Sequence, residues 1–331
     1  MIAYSHPTSE DLAQIVALWN TAMPASFPLT QRLLHQTLGD DPYREPQGEW
    51  IARDTQLPDG QNLVGWVLSK SMKQAGPEVG RFQNRGGIGA LCVHPDYQRQ
   101  GIGSALAGRA EEWLAQNGSP RSLLYFPHHL LPGVPAECTA ALEFWKQRGY
   151  GEKGWAEHCD LWRNLSDYQV PPKVLEAMSQ NPTVEMRPAR DADIAPLIAF
   201  LEAEFPGAWT YSTRAHFKQG GRAADFLIAL ETLGQFSEII GFCHTADFRS
   251  QRLIPGTYWF PALGEKFGGL GPIGMGKAQR KRGLGLALCA LAIEDLQGRG
   301  VGQMAIDWTT LLDFYARLGF SVWKRYLQPT S

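Results

Sequence analysis

Cysteine is scarce and unpatterned in this sequence. There are five, Cys92, Cys138, Cys159, Cys243 and Cys289, an odd number with no Cys-x-x-Cys pair, which points to reduced thiols in a cytosolic protein. His128-His129 and His158-Cys159-Asp160 lack useful metal-ligand spacing, so no metal site is expected. An excess of charge is also missing: 31 basic residues stand against 33 acidic ones, a net charge of −2. That balance argues against a nucleic-acid or polybasic membrane partner. The longest apolar run, around Leu284 to Ile293, is far too short to span a bilayer and reads as a buried helix. Met1 to His6 has no basic segment leading into an apolar run, so no secretory signal is expected.

What the chain does have, it has twice. Gly87 to Val93 leads through His94-Pro95-Asp96-Tyr97 into Gln98-Arg99-Gln100-Gly101-Ile102-Gly103. Gly269 to Met275 leads through Gly276-Lys277-Ala278-Gln279 into Arg280-Lys281-Arg282-Gly283-Leu284-Gly285. Each copy reads as a strand, a tight loop and a helix start. The glycines let the backbone turn sharply, and successive N–H groups then converge at a helix N-terminus, where an anion is favoured. A phosphate or pyrophosphate is the expected guest. Neither copy is a P-loop or a dinucleotide fingerprint, because the lysine-serine/threonine ending and the third glycine are missing.

The copies keep an offset of 182 residues, from Asp11 to Asp193, Gly89 to Gly271 and Gly101 to Gly283. Such a long period indicates a duplicated domain, and 331 residues with 44% hydrophobic content allow two cores. We expect domains at 1–166 and 183–331, joined by a linker, 167–182, with a short helix inside it. In the first half, strands are expected at Ile2–Tyr4, Trp50–Ala52, Leu63–Leu68, the motif strand, Leu123–Phe126, and two more ending near Trp162. Helices are expected near Leu12–Trp19, Thr30–Leu38, Gly103–Ala115 and around Phe144. The second half repeats this order, with no evident partner for the first half's last strand. Asp11 and Asp193 read as helix-start residues.

These motifs resemble the GNAT acyltransferase superfamily in tandem. Val93 to Gly103 follows its Val-x-Pro-x-x-Gln-x-x-Gly-x-Gly acyl-CoA motif, and Phe314-Tyr315-Ala316-Arg317-Leu318-Gly319-Phe320 its later Phe-Tyr-x-x-x-Gly-Phe motif. The resemblance implies a mixed α/β sheet in each half that opens after the motif strand, with acetyl-CoA in the gap. Its pantetheine arm would run along Leu91, Cys92 and Val93, or along Ile273 and Met275. The pyrophosphate would sit on Gln98, Arg99, Gln100, Gly101, Ile102, Gly103 and Ser104, or on Arg280, Lys281, Arg282, Gly283, Leu284, Gly285 and Leu286. The backbone N–H of Val93 or Met275 would polarise the acyl oxygen, and a tyrosine would protonate the departing thiolate. Tyr315 fills the tyrosine position in the second half. Trp145 fills it in the first, and an indole is no acid at neutral pH, so the C-terminal half is expected to catalyse unless Tyr125 or Tyr150 serves the N-terminal one.

The implied activity is N-acetylation of a primary amine on a small molecule by direct attack on the thioester, in a monomer or homodimer. The alternatives are a non-catalytic acyl-CoA-binding or sensing protein, or catalysis by the N-terminal half. The usual motif-strand glutamate is absent, which leaves His244, Asp307, Glu202 or Glu204 as candidate bases. Phe205, Trp209 and Tyr211, in what reads as a turn between helices, are expected to border the acceptor.

Overall fold

Apolar stretches such as Leu63–Leu68 make strands whose two faces need cover, and the helical patterns between them supply it. The computed structural model describes residues 1–73, 76–118, 123 and 129–330. It divides the chain into two compact units, one of Met1–His158 with Arg325–Ser331 and one of Cys159–Lys324.

The first unit runs β1 (Ile2–Ser5), α1 (Leu12–Ala22), α2 (Gln31–Leu34), β2 (Glu49–Asp54), β3 (Leu63–Ser71), β4 (Gly86–Val93), α3 (Ile102–Gln116), β5 (Val134–Pro135) and α4 (Thr139–Gln147). Strands β1 to β4 form an antiparallel meander in sequence order. Ile102, Leu106, Ala107, Ala110 and Leu114 of α3 bury one face with Val64, Val67 and Ile88. Trp19 of α1 meets Trp66 edge-on at 6.3 Å, and alternation along β3 puts Trp66 on the opposite face from Val67. Of the strand expected at 123–126, only Leu123 lies among the described residues; it makes one parallel bridge to Ile88. Tyr125 and His128 lie outside them.

Where two closing strands were expected there is one, β6 (Trp155–Asn164), and from Cys159 onward it belongs to the second unit. That unit continues through α5 (Pro172–Ser179), β7 (Val184–Pro188), α6 (Ile194–Glu204), α7 (Ala208–Lys218), β8 (Phe226–Leu233), β9 (Phe236–Asp247), β10 (Phe267–Met275), α8 (Leu284–Gly298), β11 (Gln303–Thr309), α9 (Leu312–Ala316) and the start of β12 (Ser321–Pro329). The strand order is β7-β8-β9-β10-β11-β6. β10 and β11 are parallel, and Cys159–Asn164 pairs antiparallel with β11. The apolar run predicted to be a buried helix is α8, which buries Leu284, Leu288, Cys289 and Ile293 with Val174 of α5. Leu197 and Leu201 of α6 cover Phe226, Ile228 and Phe242.

The strand that the second half was expected to lack exists as β12. Its residues from Arg325 lie in the first unit, where Tyr326 and Leu327 pair with Pro135 and Val134. Tyr326 is fully buried there, edge-on to Phe27 at 5.9 Å. The two helix-start aspartates do equivalent work: Asp11 accepts the Thr8 N–H at 2.8 Å, and Asp193 accepts the Arg190 N–H at 2.7 Å. Each is also gripped by an arginine, Arg53 and Arg187 respectively.

Candidate active site

The two glycine loops have the same backbone. Arg99 and Gly101 take φ of 62° and 85°, and Lys281 and Gly283 take 68° and 80°. Left-handed residues at alternate positions aim the intervening N–H groups into one concavity, at the N-termini of α3 and α8, where the helix dipole adds attraction for an anion. Space does not demand Gly101, since nothing lies within 4 Å of a Cβ built there; its φ does. Ile102 and Leu284 are buried and anchor the helix starts. Gly103, Gly285 and Leu286 are half-buried, and Ser104 is exposed.

The basic and amide side chains divide into two groups. Gln98 donates from Nε2 to the Val93 carbonyl at 3.0 Å, and Arg280 from Nε to the Met275 carbonyl at 3.4 Å. Both therefore hold the loop to the end of its strand. Gln100 similarly donates to the Asp96 carbonyl at 2.8 Å. Arg282 is engaged by Asn181 at 3.0 Å and by Glu231 at 2.8 Å. The cleft outside the second loop is lined by Lys281, Gly283 and, from α5, by Lys173. Lys173 was missed because it stands in the segment read as a linker, more than a hundred residues from the motif.

Hydrogen-bond parity shows what the strand ends present. Val93 faces Gly65 while the His94 N–H bonds the Val64 carbonyl at 2.9 Å. Met275 faces Gly241 while the Gly276 N–H bonds the Ile240 carbonyl at 2.8 Å. Val93 and Met275 are thus at non-hydrogen-bonded pair positions, and their own N–H and C=O point away from β3 and β9. So do those of Leu91 and Ile273, two residues back; Cys92 points its backbone at β3 and is buried. On the outward side, β10 pairs with β11 only from Phe267 to Leu270. Gly271 then takes φ of 138° and the strands part. In the first unit, β4 borders a cleft lined by Ile88–Leu91, Val134, Cys138 and Trp145. Outward backbone groups above an anion-binding turn fit the pantetheine and pyrophosphate of acetyl-CoA, whose acetyl thioester supplies the group to be transferred.

Tyr315 lies beside the second gap. It is 5% exposed, edge-on to Phe314 at 4.9 Å, and its hydroxyl makes no hydrogen bond among the described residues. Burial, then the nearby Cys289, Cys243 and Asp307, push its phenol well up, so it stays protonated. Trp145 holds the matching place in the first unit, edge-on to Tyr150 at 5.1 Å. The Tyr150 hydroxyl donates to Glu111 at 3.1 Å.

The acceptor-side expectation needs one correction. Trp209 and Tyr211 are not in a turn: α7 starts at Ala208, and only Phe205–Gly207 connects the helices. Phe205 packs on Trp209 at 5.1 Å and over Gly274 of β10. His244 is buried, stacked on Phe226 at 4.2 Å and edge-on to His216 at 4.8 Å. Burial, then His216, push it down to about 3, and its Nε2 has no hydrogen-bond partner among the described residues. Glu204 accepts the Lys277 N–H at 2.7 Å, and Glu202 pairs with Arg214. Asp307 follows Ile306, the last β11 residue paired with β10.

The family model described as the acetyltransferase (GNAT) family matches residues 12–151 and again 194–320. A mycothiol acetyltransferase of Mycolicibacterium paratuberculosis is 31% identical over 280 residues, 79% of this chain and 76% of that protein. A structure described as a unique GCN5-related glucosamine N-acetyltransferase region in a fungal multi-domain GH3 β-N-acetylglucosaminidase superposes with TM-score 0.84 at 25% identity. The match covers 99% of this chain and 38% of that longer one. A tandem GNAT protein from the clavulanic acid biosynthesis pathway shares the fold, with TM-score 0.64 at 15% identity over 99% of this chain and 97% of that one. The chain belongs to the GNAT acetyltransferase family, whose model it matches in two regions.

Proposed function

We propose that the C-terminal half transfers acetyl from acetyl-CoA to the primary amine of a small molecule, and that the acceptor is an amino sugar of the glucosamine type. The observation that carries the choice of half is the pair Tyr315 and Trp145: a buried, protonated phenol beside one gap and an indole beside the other. In this reading Lys281 to Gly285 hold the pyrophosphate, the Met275 N–H donates to the acyl oxygen, and Tyr315 gives its proton to the departing sulfur. Holding amine and thioester side by side lowers the barrier by several kcal/mol through proximity. The acceptor class is supported by the fungal glucosamine N-acetyltransferase region, which covers 99% of this chain. The duplicated domains are read as 1–166 and 183–331 with 167–182 between them.

The test is thiol release from acetyl-CoA with glucosamine in wild type and Tyr315→Phe, alongside calorimetry with CoA. Turnover that drops on the order of 100-fold with CoA affinity kept supports the reading. Unchanged turnover, or an activity lost only when Gly101 is altered, moves catalysis to the N-terminal half. That half has the same loop backbone, which favours a second reading in which it holds CoA without turnover.

A further inference from the structure

We propose that Asp307 is the catalytic base that takes the acceptor's ammonium proton, and that Asp160 is the positioning residue that fixes the turn beside it. The inference rests on the C-terminal half being the catalytic one.

Its ground is where β11 puts Asp307. Ile306 is the last β11 residue paired with β10, so Asp307 stands where the two strands part. Alternation along β11 puts Ile306 toward α8 and turns Asp307 to the opposite face, the one covered by α6. Across from it β10 has Gly271, and a Cβ there would come within 3.0 Å of Asp307 Oδ1. The absence of a side chain at 271 leaves the carboxylate room beside the opened strand. The ladder to β6 is irregular between Ile306 and Thr309, and Trp308 takes φ of 37°. A bulge at this place re-aims the side chain next to it. The Trp308 N–H is held by Asp160 Oδ1 at 2.9 Å, so Asp160 fixes the distorted turn.

Asp307 is half-buried and makes no ion pair among the described residues, whereas Asp11, Asp193 and Asp225 each have an arginine. The titratable groups facing it are Asp160 from β6 and Tyr315 from α9. β10 presents Gly271-Pro272, and the turn at Pro255–Thr257 sets Gly256 against its backbone. Burial, then Asp160, push the Asp307 carboxyl up to about 7, which suits a base working near neutral pH. His244, Glu202 and Glu204 are each less suited: the first is nearly non-basic, and the glutamates are already bonded.

The step balances. One ammonium proton passes to the Asp307 carboxylate and frees the nitrogen lone pair. The N–C bond forms as the C–S bond breaks, and the sulfur leaves with the Tyr315 proton. The acetylated nitrogen gives its second proton to the Tyr315 phenolate, and Asp307 returns the first to solvent, so that the products are the amide, the free thiol and one proton.

The experiment uses the full chain with Asp307→Asn and Asp160→Asn, acetyl-CoA and glucosamine. CoA binding is measured by calorimetry, and the aspartate carboxyls are titrated by carbon NMR without acceptor. We expect wild-type kcat/KM to rise through about pH 7 and Asp307→Asn to lose on the order of 100-fold or more in kcat with CoA affinity unchanged. Asp160→Asn keeps the acceptor for the Trp308 N–H and moves the acid limb to lower pH. An Asp307 carboxyl that titrates in the ordinary carboxylate range overturns the inference, whether or not glucosamine is accepted. So does an Asp307→Asn enzyme within threefold of wild type. A wild type with no affinity for CoA would instead defeat the broader reading of the C-terminal half.

Discussion

Phe205 occupies the space that any side chain at position 274 would need: a Cβ on Gly274 would lie 2.6 Å from Phe205 Cζ. The glycine of the motif strand therefore sits against the ring proposed to border the acceptor. Gly274→Ala must push the ring away, at an overpacking cost of about 1–3 kcal/mol. The expected result is a lower melting temperature and a raised KM for the acceptor, with CoA affinity within a few-fold of wild type. A variant with an unaltered acceptor KM would show that Phe205 does not border the pocket.

Asp225 predicts acid sensitivity in the second unit. Its buried carboxylate is raised by burial but lowered further by bonds from His216, 3.4 Å away, and Arg222, at 2.5 Å, and ends at about 2. An unfolded aspartate titrates near 3.9, so the depressed value contributes about 2–3 kcal/mol above that pH, lost as pH falls toward 2. Chemical denaturation of wild type should weaken over this window. Asp225→Asn should be weaker than wild type at pH 7 and flatter below pH 4.

Asp307 carries the opposite sign. A folded carboxyl at about 7 holds its proton longer than the unfolded one, so its contribution to stability declines as pH rises from about 4 to about 7. Asp307→Asn should melt above wild type at pH 8, by about 2–4 °C for each kcal/mol regained, and match it near pH 4. An enzyme that gains stability while losing turnover would separate this substitution from one that merely damages the fold.

A fragment of residues 183–331 lacks Cys159–Asn164, which pairs with β11, and α5, whose Val174 joins the core of α8. It leaves an open sheet edge beside Leu161 and Leu165 sites that are almost fully buried in the whole chain. The expected fragment aggregates or shows no cooperative melting by circular dichroism. A monomeric, cooperatively folding fragment would refute this dependence.

The loops were legible because their determinants are local. A glycine that must adopt positive φ, and a helix that must start after it, leave a mark within six residues, and the 182-residue offset repeats it. The burial of α8 was readable for the same reason, from the unbroken apolar run that opens it. What escaped depends on which strand lies beside which. Nothing in Trp155–Asn164 says that it changes unit at Cys159, and nothing in Ser321–Pro329 says that it changes back at Arg325. The bonds from Gln98 and Arg280 to their strand carbonyls were hidden by the same residues' suitability for an anion. Phe205-Pro206-Gly207 marked a break correctly, but aromatic residues beyond it gave no sign that a helix had already begun.

The seat that Val134 and Pro135 offer to Leu327 and Tyr326 has a meaning for biosynthesis. A domain at the front of a chain ordinarily folds as soon as it clears the ribosome, but here the strand that fills that seat is translated only after all of Cys159–Lys324. The half that is made first is thus the half that finishes last, and through most of synthesis Phe27 waits for the tyrosine that will cover it.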